Sequence, residues 1–177
     1  MAWGQRYQLG AATAVVAFLQ MELALHPDLE PIAFLLGRWH GEGDGEYPTI
    51  EPFRYREEVE LDHVGKPFLS YRQRTWALDD GRPLHAEVGY LRAAGNGRLE
   101  LVLAHPTGVV ELAVGSVTGR RIELASTFVM STPTAKEVTA LERTVRLDDD
   151  GVLRYELRMA AVGVDLAVHL RGELRRA

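Results

Sequence analysis

From Arg38 to the C-terminus, turn signals punctuate the chain at short, regular intervals, and apolar and polar residues alternate between them. Asp79-Asp80-Gly81, Gly95-Asn96-Gly97, Thr118-Gly119 and Asp148-Asp149-Asp150-Gly151 have the composition of hairpin turns. The candidate strands are 38–47, 52–63, 67–78, 82–93, 97–105, 108–116, 120–130, 136–147, 151–162 and 164–175. No helical stretch of comparable length interrupts the series, which excludes parallel βαβ packing and leaves an antiparallel meander. Closure is the economical way to remove the exposed edges of such a sheet. The expected fold is therefore all-β: one ten-stranded, antiparallel, lipocalin-like closed barrel with short N-terminal helices over one end. Eight strands make a barrel whose interior just holds side chains or one small ligand, so ten predict a cavity.

The stretch Arg38 to Ile50 gives the most local detail. Period 2 puts Trp39, Gly41, Gly43, Gly45 and Tyr47 on one face, and Arg38, His40, Glu42, Asp44 and Glu46 on the other, which must meet water. Glycine inside a strand marks a bend, a bulge or a close approach to the backbone. One reading is a slot beside Trp39, bordered by Gly41 and Gly43, into which a ligand fits. The other is a barrel corner whose glycines only relieve crowding.

The first part of the chain reads differently. Leu9 to Leu25 is almost unbroken alanine and leucine with few polar residues, shorter than the roughly 20 apolar residues a membrane span needs. Its flanks make only a weak signal peptide. Residues 1–27 are read as an extension, helical or frayed and dispensable for the fold, and 28–177 as the barrel domain. Asp28 or its neighbourhood is expected to cap a short helix that Gly37 ends.

Composition narrows the function classes. A net charge of -5 without basic clusters argues against nucleic acid and against an anionic membrane surface. The chain has no cysteine, which removes disulfides, thiolate nucleophiles, zinc–thiolate sites and covalent C-x-x-C-H haem attachment. A cytoplasmic protein is expected. Lys66 and Lys136 are the only lysines, against a large excess of arginine.

The segment Gly37 to Ile50, GRWHGEGDGEYPTI, resembles the G-x-W-x-G-x-G signature and Tyr-Pro-Thr-Ile continuation of the nitrobindins. Further matches follow in order at Pro83–Glu87 with Gly89-Tyr90, Thr107–Glu111, Ala135–Val138, Met159 and His169-Leu170. The resemblance covers roughly residues 28 to 177. It implies a barrel that holds one noncovalent haem b, with ferric iron bound by a histidine near the C-terminus, and a protein that binds nitric oxide and isomerises peroxynitrite to nitrate. Self-association as a homodimer is left open. The alternative is a lipocalin-like carrier of a small apolar ligand.

The resemblance makes His169 the axial iron ligand and catalytic residue. Periodicity opposes it, because Leu166, Val168 and Leu170 alternate with it and would send it outward. A bulge near Gly163, or apolar packing of the outer face, would reverse that parity. Met159 shares the inward face of 151–162 with Leu157, and Leu84 is the expected apolar neighbour on the opposite wall. His85 and His105 are read either as rim histidines or as distal-pocket groups. Lys136 is the candidate partner of a haem propionate, and Thr49 a hydrogen-bond donor to the haem edge or a turn cap.

Overall fold

The computed structural model describes residues 23–177. Most of the apolar run at 9–25, and with it the expected N-terminal helix, lies outside the described residues. A 3₁₀ helix at Pro27–Leu35 comes first, with Pro27 at its start and Pro31 inside it. Its cap is His26 rather than Asp28: the His26 Nδ1 accepts from the Asp28 backbone N–H at 3.3 Å. Pro27 has no N–H, so Asp28 N–H is the first donor to be satisfied, and Asp28 itself sits two residues past the cap position. Leu29, Ile32 and Leu35 on this helix are buried against the barrel end.

Ten strands follow: β1 (Gly37–Tyr47), β2 (Ile50–His63), β3 (Phe68–Ala77), β4 (Pro83–Ala93), β5 (Arg98–His105), β6 (Val109–Thr118), β7 (Arg121–Ser131), β8 (Val138–Leu147), β9 (Leu153–Ala161) and β10 (Val164–Arg176). Each pairs antiparallel with its neighbour in sequence, and β1 pairs with β10 to close the ring. The strands and turns fall within a few residues of those read from the sequence. No helix among the described residues is long and apolar enough to cross a membrane.

The interior is layered. The 3₁₀ helix closes one end over an apolar core that includes Trp39, Leu61, Leu69, Leu91, Leu124 and Leu174. Trp39 belongs to this plug. Its indole N–H donates to the Leu35 carbonyl at 2.8 Å, and the Arg176 guanidinium lies 4.4 Å from the ring centre. The slot expected beside Trp39 is filled by protein. The Tyr55 ring lies over Gly43, the Phe53 ring over Gly45 and the Tyr155 ring over Gly172, where a Cβ would collide with each. At Gly41 a Cβ would meet the β10 backbone at Glu173. The glycines thus let rings close over β1 and β10 and let the two strands approach, and Trp39, Gly41 and Gly43 do not line the cavity described next.

Candidate functional site

A cavity of about 1180 Å³ opens at the other end, beneath the β1–β2, β3–β4, β5–β6, β7–β8 and β9–β10 connections. Among its lining residues are His169, Leu84, His85, His105, Met159, Lys136 and Thr49. Seven of the ten candidate site residues therefore meet around one space, and the three from the glycine strand do not. The volume lies just above the ~300–1000 Å³ usual for small-molecule sites, and most of the surface lining it is apolar.

His169 reaches this space because the strand is irregular there. In the β10–β9 ladder Val168 faces Arg158 and Leu170 faces Leu157, so His169 is the extra residue of a bulge. A second shift lies between Val164 and Ala167. The parity that sends His169 outward is thereby broken, and His169 and Leu170 both line the cavity. The β1–β2 ladder shifts between Gly45 and Tyr47, which leaves Glu46 out of register. Its carbonyl oxygen lies 3.1 Å from His169 Nδ1. A carbonyl only accepts, so Nδ1 carries the proton and Nε2 keeps its lone pair. Tyr47 and Phe53 pack edge-on to the imidazole with centroids 5.4 and 6.5 Å away. Tyr47 is itself anchored, accepting from Ala161 N–H at 2.8 Å. Burial lowers the His169 pKa, against the raising effect of the Glu46 bond, so the imidazole stays neutral.

Leu84 and His85 form a second inward pair. Thr75 faces His85 and Trp76 faces Pro83, which leaves Leu84 as the bulged residue of β4. Thr75 accepts from the His85 backbone N–H at 3.0 Å and fixes this turn of the chain. His85 and His105 are neighbours, with His85 Nε2 3.2 Å from His105 Nδ1. Lys136 is exposed at the mouth, and Thr49 lies in the β1–β2 turn.

Below the histidines lies a buried polar layer that the residue-by-residue reading missed. Glu57, Glu87 and Glu111 are at most 5% exposed. Arg143 bonds Glu111 and, at 3.2 Å, Glu87. Gln73 bonds Glu57, which also accepts from the Tyr155 hydroxyl at 2.7 Å, and the Tyr55 and Tyr155 hydroxyls are 2.6 Å apart. Burial pushes the Glu87 carboxyl up, but Arg143 and the nearby His85 and His105 outweigh it and hold it at about 2. Glu111 is likewise lowered, its burial outweighed by His105 and Arg143. Glu57 has no such cation, and burial raises it to about 7. The signal for these residues was present as parity: each glutamate alternates with inward apolar residues, Tyr55 and Val59, Leu91, or Val109 and Ala113.

Comparison with known proteins places this geometry in context. Residues 28–176 match the family model described as THAP4-like, heme-binding beta-barrel domain. The chain is 56% identical over 160 residues to peroxynitrite isomerase 2 of Mycobacterium marinum, covering 88% of this chain and 99% of that protein. It is 51% identical over 167 residues to peroxynitrite isomerase of Nocardia farcinica, covering 92% and 99%. The crystal structure of Rv2717c from M. tuberculosis superposes with a TM-score of 0.81 at 52% identity, covering 87% of this chain and 99% of that one.

Proposed function

The chain belongs to the nitrobindin family of THAP4-like, heme-binding β-barrels, and from that membership we propose that it is a haem-dependent peroxynitrite isomerase. The observation that carries the reading is the donor set of the cavity. A neutral imidazole, His169, is held by the Glu46 carbonyl with Nε2 free, at the wall of a large and mainly apolar space. That is what a flat macrocycle with one open metal position requires.

His169 is the proposed iron ligand and catalytic residue, and the haem is taken to be ferric haem b, one per chain. Noncovalent binding agrees with the absence of cysteine. Leu84 and Met159 exclude water from the interior, while Lys136 and Thr49 lie at the mouth where propionates would meet cation and hydroxyl. His85 and His105 add polar contacts on the wall they share. When bound, the haem iron supplies a Lewis acid with a position open to nitric oxide or to peroxynitrite, whose rearrangement to nitrate needs no net electrons. The carrier reading is disfavoured by the cavity floor, because a fatty-acyl chain would there meet the Glu87 carboxylate, which Arg143 holds in its ionised form. The site of action proposed is the cytoplasm.

A homodimer is proposed on a separate ground. Val88, Tyr90, Val110, Leu112, Val114, Phe128 and Met130 are exposed on the outer face of β4, β6 and β7. Strand pairing makes them neighbours through β5, as in Tyr90–Val102–Leu112–Phe128. A contiguous uncharged face of this kind fits a second copy of itself.

The functional test is stopped-flow decay of peroxynitrite with nitrate quantified at the end. Hemin-loaded protein should accelerate the decay and raise the nitrate yield, and hemin-free protein should do neither. Haem uptake without any acceleration would overturn the assignment.

A further inference from the structure

One cluster in the cavity wall has a geometry that haem binding does not require. His85 and Glu87, two apart on β4, both face inward, and His105 at the end of β5 joins them. His85 Nε2 and His105 Nδ1 are 3.2 Å apart, and each lies near Glu87 Oε1, at 3.6 and 3.5 Å. A tetrahedral zinc ion with ligands at about 2.0–2.1 Å holds them about 3.3–3.4 Å from one another. An octahedral ion at the same bond length draws adjacent ligands to about 2.9 Å. The triangle has the tetrahedral size.

A second observation concerns the far side of His105. Its side chain is 7% exposed and that of Glu111 is 0% exposed. His105 Nε2 and Glu111 Oε2 both lack a hydrogen-bond partner and face each other at 3.7 Å. A buried donor and acceptor left unmade are costly. If the proton of neutral His105 sits on Nδ1, toward His85, then Nε2 and Glu111 oppose lone pair to lone pair. A cation on Nδ1 forces the proton to Nε2, where Glu111 can receive it. That is the carboxylate–histidine–metal arrangement that orients metal-binding histidines.

Charge points the same way. Glu87 and Glu111 share a single fixed cation, Arg143, among the described residues. One buried carboxylate charge is therefore left over, and an added cation would offset it. Arg143 lies 3.2 Å from Glu87 Oε1, so it orients this ligand while also repelling an incoming ion.

We propose that His85, Glu87 and His105 bind one divalent transition-metal ion of the zinc type, with Glu111 accepting from His105 Nε2 and a fourth coordination position open to the cavity. None of its ligands is His169, but His85 and His105 also belong to the wall of the proposed haem cavity, so the titration is made both without and with hemin. An ion there would present positive charge to the cavity and draw small anions into it.

The experiment is titration of the full-length protein, hemin-free and hemin-loaded, with Zn2+ by calorimetry and with Co2+ by d–d absorption. Thermal melts with and without Zn2+ accompany both. One ion per chain and a Zn2+-dependent rise in melting temperature are expected. His105→Ala and His85→Gln should each lose binding and the thermal shift while keeping a β-type circular dichroism spectrum. Glu111→Gln should weaken binding roughly 10–100-fold, as loss of an outer hydrogen-bond partner does. If His105→Ala does not fold, His85→Gln alone decides, since His85 is the more exposed of the two. The proposal is overturned if wild-type protein takes up no Zn2+, or if uptake survives in both histidine variants. Uptake that depends on His169 instead would overturn it as well.

Discussion

Glu57 is the residue whose environment has the plainest thermodynamic consequence. Burial raises its pKa to about 7 from 4.5, despite hydrogen bonds from Gln73 and Tyr155, so the folded protein holds a proton there that the unfolded chain releases. A raised folded-state pKa contributes stability that is full below about 4.5 and is lost as pH rises through about 7. At 1.36 kcal/mol per unit the loss across that window is up to about 3 kcal/mol. Glu87 has the opposite sign: held at about 2, it contributes stability above 4.5 that is lost as pH falls toward 2. Glu57→Gln, which cannot ionise, should therefore flatten the decline in stability between pH 4.5 and 7, as measured by urea unfolding at several pH values. An unchanged slope would show that Glu57 is not the group titrating. Individual residues were legible where alternation held, as for inward Met159 and outward, exposed His40. The three glutamates were not singled out, although each holds an inward position of its alternation, because a charge at an interior position only becomes intelligible with Arg143, which comes from another strand 32 residues beyond Glu111.

At the scale of elements, the strands and turns were readable because each depends on short-range pattern. Asn96 and the glycines at 81, 95, 97, 119 and 151 all adopt positive φ in the turns that their composition marked. The bulges were not readable, because a bulge is a mismatch between two strands and neither strand carries it alone. His169 and Leu84 both sit at such mismatches, which is why parity failed at His169. The β9–β10 turn beside the cavity carries one backbone conflict, Val162 at φ 49° next to Gly163 at φ 79°. A β-branched residue in the left-handed region is disfavoured by roughly 1–2 kcal/mol, and asparagine tolerates it. Val162→Asn should raise the melting temperature by about 2–4 °C for each kcal/mol relieved in a domain of this size. A lower melting temperature would mean that Val162 packing outweighs its backbone cost.

The whole molecule is a closed barrel with an apolar plug at one end, a buried polar layer across the middle and a cavity at the other. Closure and the apolar plug follow from strand number and alternation. The outer apolar face does not, since apolar residues at outward positions of β4, β6 and β7 look in sequence like a strand buried on both sides. Sedimentation should give a dimer for the wild-type chain and a monomer for Leu112→Glu, which places a charge in the middle of that face; a monomeric wild type would remove the dimer. The central claim is that a bulge turns His169 into the cavity as the sole protein bond to haem iron. Hemin titration of wild type and His169→Ala tests it most directly. The wild type should bind one equivalent with a sharp Soret band. The variant should lose more affinity than the roughly 10–100-fold that removal of an outer hydrogen-bond partner costs, with a shifted band. Equal affinity and an unshifted Soret band in His169→Ala would contradict the account.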